Sequence, residues 1–241
     1  MPDPLWTQTP PAVRRGPAPG GRFVVAAAAA ALLGVVGGLA TWVRPVPAPY
    51  FVPLWVTQYR SPAFPPSPAA EADREAIRGG TLFTRGPDTY GSQEATLFLR
   101  ELQALAAVPT TERAVVYVCA YAVPTAGGGV TVYPADADPT RDPAGVPLPT
   151  IFERVAACPA RNKLLVLDLI EPVGDVRVGG LRADVPARVP GLLAKAVPGG
   201  GLLVLTACGP GQTTHYMPAV ERTAFGFYFE HGLSGAARAY N

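Results

Sequence analysis

The thiols and imidazoles that could do chemistry in this 241-residue chain are Cys119, Cys158 and Cys208, with His215 and His231. A cysteine nucleophile needs a neighbouring base to take the thiol proton. His215 follows Cys208 by seven positions, so Cys208 and His215 form one candidate dyad. Cys119 ends an apolar run, where a cysteine serves as a small buried hydrophobe, and Cys158, in AACPA, is read as structural. Three widely spaced cysteines exclude a disulfide framework and a CxxC zinc site. Asp136, Asp138 and Asp142 lack the glycine and terminal glutamate of an EF-hand loop. Gly127–Gly129 and Gly199–Gly201 lack the flanking residues of a phosphate cradle and read as turns. Neither metal nor cofactor is expected.

Such residues are positioned by three short apolar runs with the length of strands buried on both faces: Ala114–Cys119, Lys163–Asp168 and Leu202–Thr206. Phe51–Tyr59 is expected as a first strand. Helical spacing is read at Glu71–Arg78, Ser92–Leu105, Leu148–Ala156, Val185–Val197 and Arg222–Gly232. In Ser92–Leu105 the expected N-cap is Ser92 and the expected inner face is Ala95, Leu99, Leu102 and Leu105. A glycine C-cap at Gly232 is expected to end the last helix. Alternation of buried strands with helices predicts an α/β fold in three layers, a mostly parallel central sheet with helices on both faces. Sites in such sheets lie at the carboxyl ends of strands.

A separate signal precedes this body. Phe23–Val43 is uncharged over 21 residues, about 30 Å of helix, enough to cross a bilayer core and longer than a usual signal-peptide core. It predicts one transmembrane helix. Residues 1–22 read as a disordered basic tail, residues 44–49 as a proline-rich linker, and residues 50–241 as the folded domain. Arg14, Arg15 and Arg22 before the span outweigh Arg44 after it, which places the N-terminus in the cytoplasm and the C-terminal domain on the exported, periplasmic side. The overall charge of +2 rests on that basic arm. The body is close to neutral and has no basic stripe for phosphates, so nucleic acid is excluded as a partner.

The strand ends read VCAYA (Val118–Ala122), LDLIEP (Leu167–Pro172) and LTACGPGQ (Leu205–Gln212). With Phe225–Phe229 and Gly232-Leu233-Ser234-Gly235, their order and spacing resemble the caspase-like cysteine peptidases, the caspase and metacaspase group with bacterial members. That resemblance covers residues 50–241 and implies the caspase-like version of the three-layer fold. In the family one strand end supplies the catalytic histidine, and an Asp-x-Cys segment at a later one supplies the nucleophile. Tyr121 and Ile170 take those two places here, 49 positions apart, close to the interval of about 50 in caspases.

Isoleucine has no nucleophilic atom, and a phenol is a poor proton carrier near neutral pH. The resemblance therefore implies a membrane-anchored pseudo-peptidase that acts in binding or assembly. Its expected groove, the former substrate cleft, draws on Asp168, Glu171, Thr206 and Gln212, with a peptide or protein as partner. Asp168 reads either as a remnant of an acidic specificity pocket or, more simply, as a strand-end carboxylate bonded to loop amides. Glu171 reads by default as a solvated glutamate. The rival readings are an active endopeptidase using Cys208, and a structural, envelope-anchored domain.

Overall fold

The computed structural model describes residues 48–79, 84–85, 94–110, 113–138, 145–171, 184–212, 214 and 216–235. Pro47–Asn241 forms one compact unit. The tail at 1–22, the expected span Phe23–Val43 and most of the linker lie outside the described residues. Among the described residues, no helix is long and apolar enough to cross a membrane.

The chain runs β1 (Tyr50–Trp55), α1 (Pro68–Gly79), β2 (Thr84–Arg85), α2 (Ala95–Ala104), a 3-10 turn (Leu105–Ala107), β3 (Arg113–Pro124) and β4 (Val130–Val132). It continues through β5 (Val146–Pro147), α3 (Leu148–Ala156), β6 (Asn162–Ile170), α4 (Val185–Ala196), β7 (Leu203–Thr206), β8 (Tyr216–Met217), β9 (Arg222–Thr223) and α5 (Ala224–Leu233). Strands β2, β1, β3, β6 and β7 lie side by side, all parallel. β4 joins the far end of β3 antiparallel, and β5 joins β4. β8 and β9 make a separate small antiparallel pair.

Strand alternation sorts the core into two faces. Val52, Leu54, Val116, Val118, Leu165 and Leu167 point to one side, where Phe98 and Leu102 of α2, Ile151 and Phe152 of α3 and Val185 of α4 cover them. Phe51, Trp55, Tyr117, Cys119 and Val166 point to the other, under Ala70 and Ile77 of α1 and Phe225 and Phe229 of α5. Both faces of the central strands are thus dry, which is why their sequences read as unbroken apolar runs. Complete burial of a side chain such as Phe98 stabilises the fold by about 1.5–3 kcal/mol.

Several boundaries differ from the sequence reading. β3 continues five residues past Cys119 because Ala122–Pro124 pair with β4, across a turn whose Gly128 has φ +81°. β1 stops at Trp55, four residues before Tyr59. α2 begins at Ala95, and Ser92 lies outside the described residues. Its buried face is Phe98, Leu102 and the following Leu105; Leu102 and Leu105 are buried as expected, whereas Leu99 is exposed and Phe98 takes its place. Its first amide is capped from a distance, since Ala95 N–H donates to Asp136 Oδ1 at 2.8 Å. Arg222 and Thr223 belong to β9, and Thr223 caps α5 by accepting from Gly226 N–H at 2.9 Å. Gly232 lies inside that helix. Ser234 is its C-cap, and the left-handed residue is Gly235, at φ +91°.

Candidate functional site

The ends of β3 and β6 meet in register: Tyr121 pairs with Ile170, and Cys119 with Asp168. Parallel pairing puts each couple on one face of the sheet. Tyr121 is buried by stacking on Phe64 (ring centroids 5.0 Å apart, planes at 18°) and by an edge contact with Tyr59 at 5.1 Å. Tyr133 adds to this cluster from beyond β4, and Ile170 packs against it. The Tyr59 hydroxyl accepts the Tyr121 backbone N–H at 2.8 Å, which fixes the strand end. Burial raises the pKa of Tyr121 further above that of a free phenol. Two apolar-packed side chains therefore stand at this juncture, and neither supplies a nucleophile or a base near neutral pH.

Two positions back on each strand the chemistry changes. Asp168 is fully buried, with no exposed surface. Its Oδ2 accepts from the Tyr117 hydroxyl at 3.2 Å and lies 3.5 Å from Thr223 Oγ1, while Oδ1 has no hydrogen-bond partner. Asp168 is thus bonded to hydroxyls beneath α5, not to loop amides, and it does not line an open groove. Burial, then the charge of Asp73, raises its pKa to about 7, partly offset by the neighbouring hydroxyls of Tyr117 and Thr223. Asp73, on α1, is itself buried and receives Arg222 Nε at 2.6 Å, Thr223 N–H at 3.1 Å and Thr223 Oγ1 at 2.6 Å. Gly226 permits that approach, because a Cβ there would lie 2.2 Å from the Asp73 carboxyl carbon.

The other expected groove residues sit apart from this centre, around the start of α4. The Glu171 carboxylate accepts from Val185 N–H at 2.6 Å, so it is half-buried and engaged instead of freely solvated. Asp184, strained at φ +44°, accepts from Ala187 N–H at 3.4 Å and Gly211 N–H at 3.0 Å. It thereby ties the loop after β7 to the helix. Gln212 is exposed and its side chain accepts from Gly209 N–H at 2.9 Å. Thr206 and Cys208 border a shallow apolar depression with Leu167, Leu169 and Val189.

Cys119 is buried, and burial followed by the charges of Asp168 and Asp73 drives its thiol pKa well up. Cys158 is buried where α3 ends, its carbonyl accepting from Lys163 Nζ at 3.1 Å. Cys208 is half-buried, and burial raises its pKa as well. An activated cysteine requires the opposite shift. His215 lies outside the described residues. His231 Nδ1 meets the Phe227 carbonyl at 2.9 Å, and its ring lies 4.0 Å from the Phe227 ring. Among the described residues, no group of histidine, cysteine, aspartate or glutamate has the arrangement of a metal site.

The sequence reading missed Asp73, Tyr117, Arg222 and Thr223 as a polar centre. Only Thr223 carried a local signal, as an N-cap residue before Ala224-Phe225-Gly226. Asp73 looks like any acidic residue on an amphipathic helix until α5 packs on it.

No family model matches the chain, and no curated protein matches it. Among solved structures, caspase-1 from Spodoptera frugiperda is similar, with a TM-score of 0.53 over 80% of this chain and 71% of that one, at 9% sequence identity. At that identity the likeness shows a caspase-like fold and nothing of activity.

Proposed function

We propose that this chain is a membrane-anchored pseudo-peptidase: a caspase-like domain without caspase chemistry, serving to bind a peptide or protein partner from the exported side of a membrane. The observation that carries the reading is the register pairing of Tyr121 with Ile170. The resemblance in sequence assigns the imidazole and the thiolate to these two strand ends, and here they hold an aromatic ring and an aliphatic chain packed together. Proton transfer and attack on a carbonyl both lack an agent at that point. The raised pKa of Cys208 argues in the same direction against its use as a substitute nucleophile.

The partner surface belongs at the rim formed by Glu171, Thr206, Cys208 and Gln212, where Gln212 and the neighbouring Gly211 are exposed. Asp168, being sealed off, has no part in it. The anchor rests on Phe23–Val43 and its flanking arginines.

The test uses the full-length protein in native membranes. It should cleave no peptide library and show no saturable labelling by a peptide-based thiol probe. A photoreactive residue at Gln212 should cross-link a discrete partner. Alkaline extraction should leave the protein in the membrane unless 23–43 is deleted. Thiol-dependent cleavage that disappears in Cys208→Ala overturns the non-proteolytic reading, and release at alkaline pH overturns the anchor.

A further inference from the structure

The polar centre beneath α5 holds more acceptors than protons. Thr223 has one hydroxyl proton, and its 2.6 Å contact with Asp73 Oδ2 takes it. The same hydroxyl oxygen already accepts from Gly226 N–H and keeps one lone pair free. Asp73 is further held by Arg222 Nε and Thr223 N–H, the surroundings of an ion-paired carboxylate. For Asp168 there remains the Tyr117 hydroxyl, at 3.2 Å on Oδ2, with nothing on Oδ1. A fully buried carboxylate with one donor, facing a second carboxylate, is a costly state. A carboxylic acid is not, because its own proton can go to the free lone pair of Thr223 Oγ1, 3.5 Å away.

We propose that Asp168 is a protonated carboxylic acid in the folded chain, and that loss of this proton unlatches α5 from the sheet. The proton leaves to solvent. The charge left behind has no second donor unless Thr223 turns away from Asp73 or water enters. The first gives up the 2.6 Å bond that ties Thr223, at the start of α5, to Asp73 on α1; the second requires α5 to lift from the sheet.

The groups facing Asp168 are Tyr117 and Cys119 on β3, Asp73 on α1, and Thr223 with its neighbour Arg222 before α5. Cys208, beyond β7, feels its charge at longer range. None but Arg222 is cationic, and Arg222 is committed to Asp73, Glu230 Oε2 and the Gly226 carbonyl. The folded-state pKa of about 7 stands above the ordinary 3.8. Between those values the folded chain holds a proton that the unfolded chain lacks, so stability falls as pH rises across that window and levels off above it. This latch goes beyond the pseudo-peptidase reading and does not depend on it.

Infrared difference spectroscopy on the intact protein tests the idea. At about pH 5.5 a protonated-carboxyl C=O band, moved by 13C-labelling of aspartate, should be present, and it should fade as pH passes through about 7. Tyr117→Phe should shift the band by removing its hydrogen bond, and Asp168→Asn should abolish it. Protection of the Ala224–Leu233 amides, taken as exchange relative to the intrinsic base-catalysed rate at each pH, should fall at least several-fold over the same titration, and Asp168→Asn should remove that fall. Should Asp168→Asn not fold, the wild-type titration and Tyr117→Phe decide the matter. Absence of the band, a band indifferent to Tyr117→Phe, or α5 protection that does not follow the titration overturns the proposal.

Discussion

Tyr121 and Ile170 sit opposite each other at the ends of adjacent parallel strands, on the same face of the sheet. Their contact is continuous with the aromatic cluster of Tyr59, Phe64 and Tyr133. A pair of positions able to juxtapose a base and a nucleophile is used here to close the core.

That geometry can be put to use. In the double variant Tyr121→His with Ile170→Cys, an imidazole and a thiol share the face and the register. Alkylation of the new thiol near neutral pH should be about tenfold faster than in Ile170→Cys alone, as expected when a neighbouring imidazole lowers a thiol pKa by about one. Rates measured by mass spectrometry, site by site, check it. Equal rates in the two variants would mean that the side chains diverge.

Tyr121 also carries stability. Tyr121→Ala removes a ring stacked on Phe64 and edge-on to Tyr59, and should cost about 3–5 kcal/mol in urea unfolding, as for other large buried aromatics. Tyr121→Phe keeps the stack and should cost about 1 kcal/mol or less.

Native cysteines should differ sharply. Cys119 and Cys158 are buried and should resist alkylation until the chain unfolds. Cys208 should react in the folded protein, but more slowly than a free thiol near neutral pH, because burial holds its pKa up and its thiolate fraction down. The rate should rise with pH into the alkaline range. A Cys208 faster than free cysteine would contradict this and revive it as a nucleophile.

Gly226 is required by contact, not by backbone conformation. In Gly226→Ala a methyl group would stand 2.2–2.5 Å from the Asp73 carboxyl atoms, so α5 must shift or Asp73 must turn away from Thr223. A loss of about 1–3 kcal/mol is expected, typical of overpacking. Thermal melts of Gly226→Ala check it, and an unchanged midpoint would mean that α5 is loosely seated.

The cap on α2 comes from Asp136, 41 positions away in sequence. Asp136→Ala should destabilise the protein by about 0.5–2 kcal/mol, the range for losing an N-cap acceptor. Asp136→Asn, which keeps the acceptor oxygen, should recover most of that.

What the amino-acid order settles unaided is what local chemistry controls. The central strands were legible because residues buried on both faces must be apolar throughout, as in Val115–Val118 and Leu165–Leu167. The helix Leu148–Ala156 was legible from its spacing, and the want of a nucleophile at Ile170 follows from its side chain alone. The reading failed where a distant partner decided: β4 drew β3 out to Pro124, and packing on the sheet took Phe98 of α2 in place of Leu99.

The polar centre was illegible for the same reason. Asp73 and Thr223 are 150 positions apart, and Asp168 and Thr223 are 55 apart. Nothing near any of them in sequence marks it as buried. Tertiary packing alone decided that Asp168 would face α5 and not a cleft, because strand parity, the seat of α5 and the space left by Gly226 must all agree before two carboxylates can share one hydroxyl. Local sequence sets what each segment can become, and which charges lose their water is set only when the segments close on one another.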